Sequence, residues 1–438
     1  MNYNLYNPVY IPELMSPPTR AMPIREYAIE VQGSCDMGCP DCYMYQGENA
    51  SNRKRYLPVE LGTIALLGQR ITEHAAEFAD ETDPRYQLKN VTFILHGGEP
   101  LLNIGHIEKI VQILRQTIPD EISSEFVVQT NATTLSEEQL AILARLGVGI
   151  GVSIDGLPED HDRSRPLLNG TPSYERVAKN TRLLRDTHPD LFRGILCTLN
   201  QYNMGPPSDE ITARYGGRTK AVATFKSLEE FRPDPVKYPN FKFDFIWPHA
   251  TWNTPPPNWD PSGVKTPYAD YMIELFDYLF KEQAIPYTRI RFFDAIIKGI
   301  RNRLGSHHVP VGGEIFGFGD AGYLFIEADG QIKGTDGLKA LDPGADSIVL
   351  GKRTGNARLQ TNKISDVLEH PLIKLRRTGA QALGETCLRC LENDVGDICG
   401  GGRFSDRQKD GTFMNPSVYC DDIKKLIGHI IGAVSTIL

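Results

Sequence analysis

The sequence predicts an α/β protein whose larger part is a partial, open (β/α)6 barrel, followed by a cysteine-rich C-terminal region. Apolar runs with strand character alternate with segments of helical periodicity between residues 27 and 247, as in a parallel sheet with helices outside. Polar and glycine-rich segments directly follow these runs, and (β/α) barrels gather functional groups at that end of their strands. Six strand signals are too few for a closed eightfold barrel.

The predicted strands are 27–31, 91–95, 126–128, 148–154, 194–199 and 243–247, and the helices between them are 57–79, 107–118, 136–146 and 174–185. Ser136 precedes its helix with Gln139 three residues later, which is the spacing of a capping box. Residues 252–267 indicate a linker, and residues 268–280 and 289–304 indicate amphipathic helices. The resulting division is an arm (1–24), the barrel (25–251), a linker with bridging helices (252–311) and the C-terminal domain (312–438).

Composition excludes several classes of protein. The 438-residue chain has a net charge of −8, so no overall basic field predicts a nucleic-acid partner. No apolar run reaches the length of a membrane helix, and the polar, proline-rich first 21 residues do not resemble a secretory signal. The eight cysteines form two groups plus Cys197. Reduced, metal-binding thiols in a cytoplasmic protein are therefore expected rather than disulfides, with Cys197 as a small buried hydrophobe.

The first cysteine group follows the first predicted strand in the pattern C-x-x-x-C-x-x-C, formed by Cys35, Cys39 and Cys42. A four-iron cluster usually takes four thiolates, so three on one loop would leave one iron able to bind a small molecule. A structural zinc loop is the alternative, although zinc usually draws on two separated pairs of ligands. The motif resembles that of the radical SAM superfamily, in which the open iron of a [4Fe–4S] cluster binds S-adenosylmethionine.

Further segments resemble cofactor contacts of that superfamily. After the second strand, Gly97, Gly98, Glu99 and Pro100 match its second signature, in which backbone and glutamate bind the methionyl amino group. The resemblance extends to polar residues after later strands, Asn131, Ser153 and Asp155, and to Arg165 as a ligand of the cofactor carboxylate. A solvated loop is the alternative for Arg165. The chain departs from the family at Asp41, where an aromatic residue is common, so Tyr43 or Tyr45 is expected to supply the adenine contact.

The second cysteine group comprises Cys387, Cys390, Cys399 and Cys420, with three glycines after Cys399. It resembles the SPASM/twitch extension of radical SAM enzymes, which carries auxiliary clusters. A full SPASM domain has additional cysteines, and the predicted hairpin near residues 322–336 contains none. Four thiolates fully ligate one cluster, so one auxiliary [4Fe–4S] cluster is expected. A four-cysteine zinc site is the alternative.

A narrower resemblance is to the FxsB-type radical SAM/SPASM peptide maturases. The segments that carry it are residues 243–249, Trp252, 255–257, 266–270 and 415–420. The resemblance implies a ribosomal precursor peptide as substrate, a flavodoxin- or ferredoxin-type electron donor, and a C–C bond from an aromatic ring to Cβ, a cyclophane. Such chemistry ends with removal of one electron and one proton. Asp244 and His249 are the candidate bases, against the alternatives of a structural aspartate and a core histidine.

Other functions remain open from the sequence. A related enzyme could form a carbon–heteroatom bond, epimerise a residue or produce formylglycine as sulfatase-maturing enzymes do, although the last group would be expected to carry more auxiliary cysteines. A non-catalytic iron–sulfur or zinc scaffold is the alternative outside the enzyme class. Air sensitivity and reductive cleavage of S-adenosylmethionine would separate these classes.

Overall fold

The structure, a computed structural model, describes residues 21–45, 57–303, 315–316, 322–334, 338 and 356–435. Most of the predicted N-terminal arm, and parts of the predicted C-terminal domain between residues 312 and 355, therefore lie outside the described residues. None of the helices in the described part is both long enough and apolar enough to cross a bilayer.

One sheet contains all nine strands of the described residues, in the order β7-β6-β5-β4-β3-β2-β1-β8-β9. The strands are β1 (Glu26–Gln32), β2 (Asn90–Gly97), β3 (Ser123–Thr130), β4 (Val148–Ser153), β5 (Phe192–Thr198), β6 (Lys242–Ile246), β7 (Arg289–Ile290), β8 (Tyr323–Ile326) and β9 (Ile332–Lys333). Only the β8–β9 pair among them is antiparallel. The six predicted strands and their parallel arrangement are confirmed.

Helices connect these strands and form the C-terminal region. They are α1 (Leu61–Ala76), α2 (Ile104–Thr117), α3 (Glu137–Leu146), α4 (Pro158–Ser164), α5 (Tyr174–Thr187), α6 (Asp209–Tyr215), α7 (Ala221–Glu229), α8 (Pro267–Lys281), α9 (Arg291–Arg303), α10 (Ile364–Leu368), α11 (Pro371–Arg377), α12 (Glu385–Asn393), α13 (Gly396–Cys399) and α14 (Cys420–Ser435). Ser136 caps α3 by accepting a hydrogen bond from the Gln139 amide, and Gly147 ends the helix in a left-handed conformation. The α/β class is thereby confirmed.

The sheet extends beyond the six predicted strands at both edges. Strand β7 adds two residues beside β6 at a position where the sequence indicates the start of a helix. Strand β8 pairs in parallel with β1, from Glu26 opposite Tyr323 to Ile29 opposite Ile326. The hairpin assigned from sequence to the C-terminal domain therefore continues the barrel sheet. Strands this short carry too few residues for a periodic signal.

On two neighbouring strands of the sheet, β2 and β3, the two faces differ in burial. On β2, Phe93 and Leu95 are buried against the helices, whereas Ile94 and His96 between them are half-buried. The same alternation continues on β3, where Gln129 is half-buried between two buried neighbours. Parallel sheets normally bury both faces completely. The second face is therefore incompletely buried at β2 and β3, whereas β1 after its first residue and β4 are buried on both faces.

The C-terminal helices are joined to the barrel by buried polar contacts. Asp422 on α14 accepts a hydrogen bond from the Ala269 amide in the first turn of α8, at 2.9 Å. Arg303 at the end of α9 donates its Nε to Asp397 of α13 at 2.6 Å, and both side chains are buried. These contacts fix the helices that carry Cys399 and Cys420 relative to the last strands of the barrel.

Candidate functional site at the carboxyl ends of the strands

The first cysteine loop lies at the carboxyl end of β1, and the eight cysteines form no disulfide. Burial raises the pKa of Cys35 to about 12 and that of Cys39 to about 11, and the thiol groups of Cys39 and Cys42 each contribute to the rise at their neighbour. Three partly buried thiols thus share one short loop. An iron–sulfur cluster fits this donor set, because bound iron would neutralise the thiolates that burial disfavours.

The cysteine loop is held by two other loops at the same end of the barrel. Asp36 accepts hydrogen bonds from Asn131 Nδ2 at 2.8 Å and from Thr133 Oγ1 at 2.5 Å. On the other side, the Gly38 amide donates to the Pro166 carbonyl at 2.8 Å. Asp36 was not predicted from the sequence to be part of the site. The only indication in the sequence was that Asp36 lies between two candidate ligands of the cluster.

The segment after β2 packs directly against this loop. Gly97 has φ of +130°, and a side chain at Gly98 would place its Cβ 1.9 Å from the Ser34 carbonyl oxygen. Both glycines are therefore required by the close approach of two backbones. Pro100 follows at the start of a short 3₁₀ helix, Pro100–Asn103.

Glu99 is directed inward rather than toward open space. Its carboxylate is 1% exposed and accepts hydrogen bonds from Thr130 Oγ1 at 2.6 Å, the Asn131 amide at 2.7 Å and the Leu101 amide at 3.0 Å. Burial raises its pKa to about 7 although these hydrogen bonds oppose the rise. The side chain therefore joins the loops after β2 and β3.

An ion pair occupies the end of β4. Arg165 Nε donates to Asp155 Oδ2 at 2.8 Å, and Ser164 Oγ donates to the same oxygen at 2.9 Å. Burial alone would lower the pKa of Arg165, but Asp155 and the cysteine thiolates raise it above its usual value. Ser153 accepts a hydrogen bond from Gln129 Nε2 on the neighbouring strand at 2.9 Å.

Aromatic rings connect the cysteine loop to the far side of the barrel. The Tyr43 hydroxyl lies 3.1 Å from His96 Nε2, and the Tyr43 ring stands edge-on to His249 with centroids 5.5 Å apart. Tyr45 donates its hydroxyl to the Gly33 carbonyl at 2.5 Å. His96 was not identified from sequence, because a histidine next to two glycines is most simply interpreted as part of a turn.

The two candidate bases line one cavity beyond the end of β6. Asp244 is buried and forms an ion pair with Arg291 of α9, with 2.7 Å between Oδ2 and Nη2. Desolvation and the nearby Arg403 guanidinium hold the pKa of His249 well below its usual range, so its imidazole is neutral at pH 7. The structure thus brings both predicted residues to the same place, with Asp244 already engaged by a cation.

The four C-terminal cysteines come together from three helices. Burial raises the pKa of Cys399 well above its usual value, and the thiol groups of Cys420, Cys390 and Cys387 all contribute to the rise. Among the described residues, no group of three His, Cys, Asp or Glu side chains is close enough to share a single metal ion.

Part of the chain matches a known protein family. Residues 29–205 match the model of the radical SAM superfamily. The cysteine-type anaerobic sulfatase-maturating enzyme of Clostridium novyi is 24% identical over 307 residues, which are 68% of this chain and 70% of that protein. For two other relatives, an uncharacterised protein of Methanocaldococcus jannaschii and the serine-type maturating enzyme of Bacteroides thetaiotaomicron, the chain spans 49% and 42% of their length.

Solved structures share the fold at low sequence identity. Native anSMEcpe with bound AdoMet and Cp18Cys peptide superposes with a TM-score of 0.63 at 19% identity, covering 94% of this chain and 98% of that one. Streptococcus suis SuiB bound to the precursor peptide SuiA superposes with a TM-score of 0.54 at 15% identity, covering 91% and 76%. Radical SAM enzymes use S-adenosylmethionine and a [4Fe–4S] cluster. Residues 29–205 therefore match the radical SAM superfamily, and the chain is similar to the cysteine-type anaerobic sulfatase-maturating enzyme over 68% of its length.

Proposed function

We propose that this enzyme modifies a ribosomally made precursor peptide by joining an aromatic ring carbon to the Cβ of another residue. The observation that carries the proposal is the position of an aromatic-walled cavity beside the cysteine loop, at the same end of the barrel. Peptide-bound relatives of the same fold support a peptide as substrate. The electron needed to start the reaction would come from an external donor of flavodoxin or ferredoxin type.

We assign the first cluster to Cys35, Cys39 and Cys42. When bound, the cluster and S-adenosylmethionine supply a 5′-deoxyadenosyl radical that removes a hydrogen atom from the substrate. Around that position, the backbone of Gly97 and Gly98 would contact the methionyl group. Because Glu99 already accepts three internal hydrogen bonds, its role in this proposal is to hold that backbone, with Pro100 starting the next turn.

The remaining cofactor contacts are assigned to the ends of β3 and β4. Asn131 is fixed by Asp36 beside the cysteine loop. Ser153 ends β4, which pairs with β3, and Asp155 follows two residues later. Arg165 keeps its terminal nitrogens available for the cofactor carboxylate in this proposal, because the contact to Asp155 uses Nε. We assign the adenine contact to Tyr43, whose hydroxyl lies 3.1 Å from His96 Nε2.

Two groups would complete the reaction. Forming a carbon–carbon bond to an aromatic ring leaves one electron and one proton to be removed before the ring regains aromaticity. We assign the electron to the site formed by Cys387, Cys390, Cys399 and Cys420. We assign the proton to His249, because its imidazole is neutral, whereas Asp244 is paired with Arg291.

Formylglycine formation is the second candidate, favoured by the names of the sulfatase-maturating relatives. Coexpression with candidate precursor peptides from neighbouring reading frames, followed by tandem mass spectrometry, separates the two. A cross-link removes two hydrogen atoms and suppresses fragmentation between the joined residues, and its product does not react with a hydrazide. A hydrazide-reactive aldehyde at a cysteine or serine would instead establish the maturase activity.

The radical assignment itself has a separate test. Replacing Cys35, Cys39 and Cys42 together by alanine should abolish formation of 5′-deoxyadenosine, while circular dichroism shows an unchanged fold. The loop lies at the rim of the barrel, so its loss spares the core. Continued 5′-deoxyadenosine production by this variant would contradict the radical assignment.

A further inference from the structure

The cavity beyond β6 has a volume of about 120 Å³ and lies between the barrel and the C-terminal region. Its walls come from the segment after β6, from the start of α9 and from the C-terminal region. An apolar cavity of about 150 Å³ in another protein takes up benzene. The cavity, which is open on one side, therefore has room for one ring-sized side chain.

Aromatic and aliphatic side chains form much of the wall. The rings of Trp247 and Phe292 are stacked, with centroids 4.8 Å apart and planes inclined by 23°. Ile246 and Ile423 contribute to the lining as well. Flat aromatic walls favour an aromatic guest, because ring pairs gain about 0.5–1.5 kcal/mol beyond the burial of their area.

The charged side chains that line the cavity form two ion pairs. Asp244 and Arg291 form one ion pair at 2.7 Å, and Arg403 and Asp406 form a second at 2.8 Å. Each charged group among these four thus has an opposite charge beside it. A guest that carried its own charge would have to displace one of these partners, so a neutral guest is favoured.

Two polar atoms of the lining residues have no hydrogen-bond partner among the described residues, namely Trp247 Nε1 and His249 Nδ1. Trp247 is 2% exposed. Buried donors and acceptors are nearly always paired in native proteins, and leaving one unpaired costs about 1–3 kcal/mol. A guest that presents a polar group at the edge of its ring would reduce this cost.

We propose that this cavity is the binding site for a neutral aromatic side chain of the substrate peptide, with a phenol or indole preferred over a phenyl ring. The assignment rests on the proposed function only in taking the guest to be part of a peptide. It explains the size of the cavity, its stacked wall, its balanced charges and its unpaired polar atoms together.

The test uses isolated side-chain analogues and the full chain. Ligand-observed NMR titrations would measure binding of p-cresol, toluene and methylcyclohexane, which represent a phenol, a phenyl ring and a saturated ring of the same size. We expect p-cresol to bind more tightly than toluene, and toluene at least 3-fold more tightly than methylcyclohexane. Equal binding of toluene and methylcyclohexane would overturn the aromatic preference.

Substitutions in the cavity wall test whether p-cresol binds at this site. Phe292 is half-buried, so Phe292→Ala should spare the core and weaken p-cresol binding at least 5-fold, and Phe292→Leu keeps the apolar volume while removing the ring. The matched control is Phe280→Ala, which removes another half-buried ring, one stacked on Phe276 outside the cavity. Unchanged p-cresol binding in both Phe292 variants would overturn the site. Parallel assays of 5′-deoxyadenosine keep this failure separate from failure of the radical chemistry.

Discussion

Arg403 donates a hydrogen bond from Nη2 to the carbonyl oxygen of Pro248 at 2.6 Å. The Tyr419 hydroxyl donates to the same oxygen at 2.8 Å. Arg403 lies four residues after Cys399, Tyr419 directly precedes Cys420, and Pro248 directly precedes His249. One carbonyl group therefore connects both loops of the C-terminal cysteine site with the cavity that holds the candidate base.

This contact predicts that Arg403 matters for the substrate rather than for the cofactor. Arg403→Met would remove the bonds to the Trp247 and Pro248 carbonyls and leave Asp406 without its guanidinium. We expect product formation to fall more than 10-fold, while cleavage of S-adenosylmethionine without peptide stays within 2-fold. Product is measured by mass spectrometry and cleavage by chromatography of 5′-deoxyadenosine.

The control for Arg403 is Arg389→Met, because Arg389 lies on α12 of the same region but its side chain is largely exposed. It should leave both measurements within 2-fold of the wild type. An equal loss of cofactor cleavage and product formation in Arg403→Met would show that the contact serves general stability instead.

The glycine after β2 gives a second prediction. A Cβ at Gly98 would lie 1.9 Å from the Ser34 carbonyl oxygen and 2.5 Å from the Tyr45 hydroxyl. Gly98→Ala should therefore displace the cysteine loop, reduce the iron content by about half and abolish cofactor cleavage. Iron is measured by colorimetric assay after anaerobic reconstitution.

Gly105 in the first turn of α2 is the matched control, because no atom lies within 4 Å of the position that its Cβ would take. Gly105→Ala should retain iron and activity and gain up to about 1 kcal/mol of stability from helix propensity. Full iron occupancy in Gly98→Ala would show that the two backbones can separate without loss of the site.

Much of this arrangement could be predicted because it depends on local pattern. Strand and helix periodicity gave the six central strands, and the position of polar residues after strands identified one end of the barrel. The joining of β8 to β1 could not be predicted, because pairing across about 300 residues leaves no periodic signal in a four-residue strand.

The contacts of individual side chains could be predicted less well from the sequence than the strands and helices. Glu99 was expected to meet the cofactor, and the structure adds that its carboxylate also accepts hydrogen bonds from Thr130 and the Asn131 amide, which the sequence does not reveal. The residues of the finer resemblance, such as Trp252 and Pro416, are separated along the chain but hydrogen bonded, with Trp252 Nε1 donating to the Pro416 carbonyl at 2.8 Å. Only tertiary structure reveals that these segments form the junction between barrel and cysteine site.

Buried His161 gives a prediction about pH. Its Nδ1 accepts a hydrogen bond from the Asp155 amide and its Nε2 lies 3.1 Å from Ser173 Oγ, so the ring supports the ion-paired Asp155. Burial lowers its pKa from 6.5 to about 4. Because the unfolded chain takes up the proton more readily, this contribution is complete above about pH 6.5 and is lost as pH falls toward 4.

His161→Gln should reduce the acid sensitivity of unfolding. Between pH 7 and pH 5, protonation of His161 in the unfolded chain should lower the free energy of unfolding of the wild type by about 2 kcal/mol. The free energy of unfolding of the variant should fall less, because the variant lacks this contribution. Urea unfolding at both pH values measures the difference. His74, whose pKa burial also lowers to about 4, remains in both proteins, and an identical pH dependence would contradict the assignment to His161.

The last prediction separates the roles of the two cysteine sites. Wild-type protein reconstituted without oxygen should contain about eight irons per chain, from two four-iron clusters. Cys420→Ala leaves three thiolates at the C-terminal site and does not touch the first loop. We expect it to cleave S-adenosylmethionine in the presence of peptide and to transfer deuterium from a labelled Cβ into 5′-deoxyadenosine. It should give little cross-link, because losing one thiolate changes the net charge of the cluster and thus its potential for accepting the electron.

A structural role for the C-terminal site gives a different result. Cys420 begins α14, and the preceding Tyr419 binds the Pro248 carbonyl, so loss of the metal could also loosen the cavity. In that case Cys420→Ala would lose p-cresol binding together with product, whereas an electron-acceptor role leaves p-cresol binding intact. Full cross-linking by a variant proven to lack the second cluster would contradict the electron-acceptor role, because the proton and electron would then leave by a route that does not involve these four cysteines.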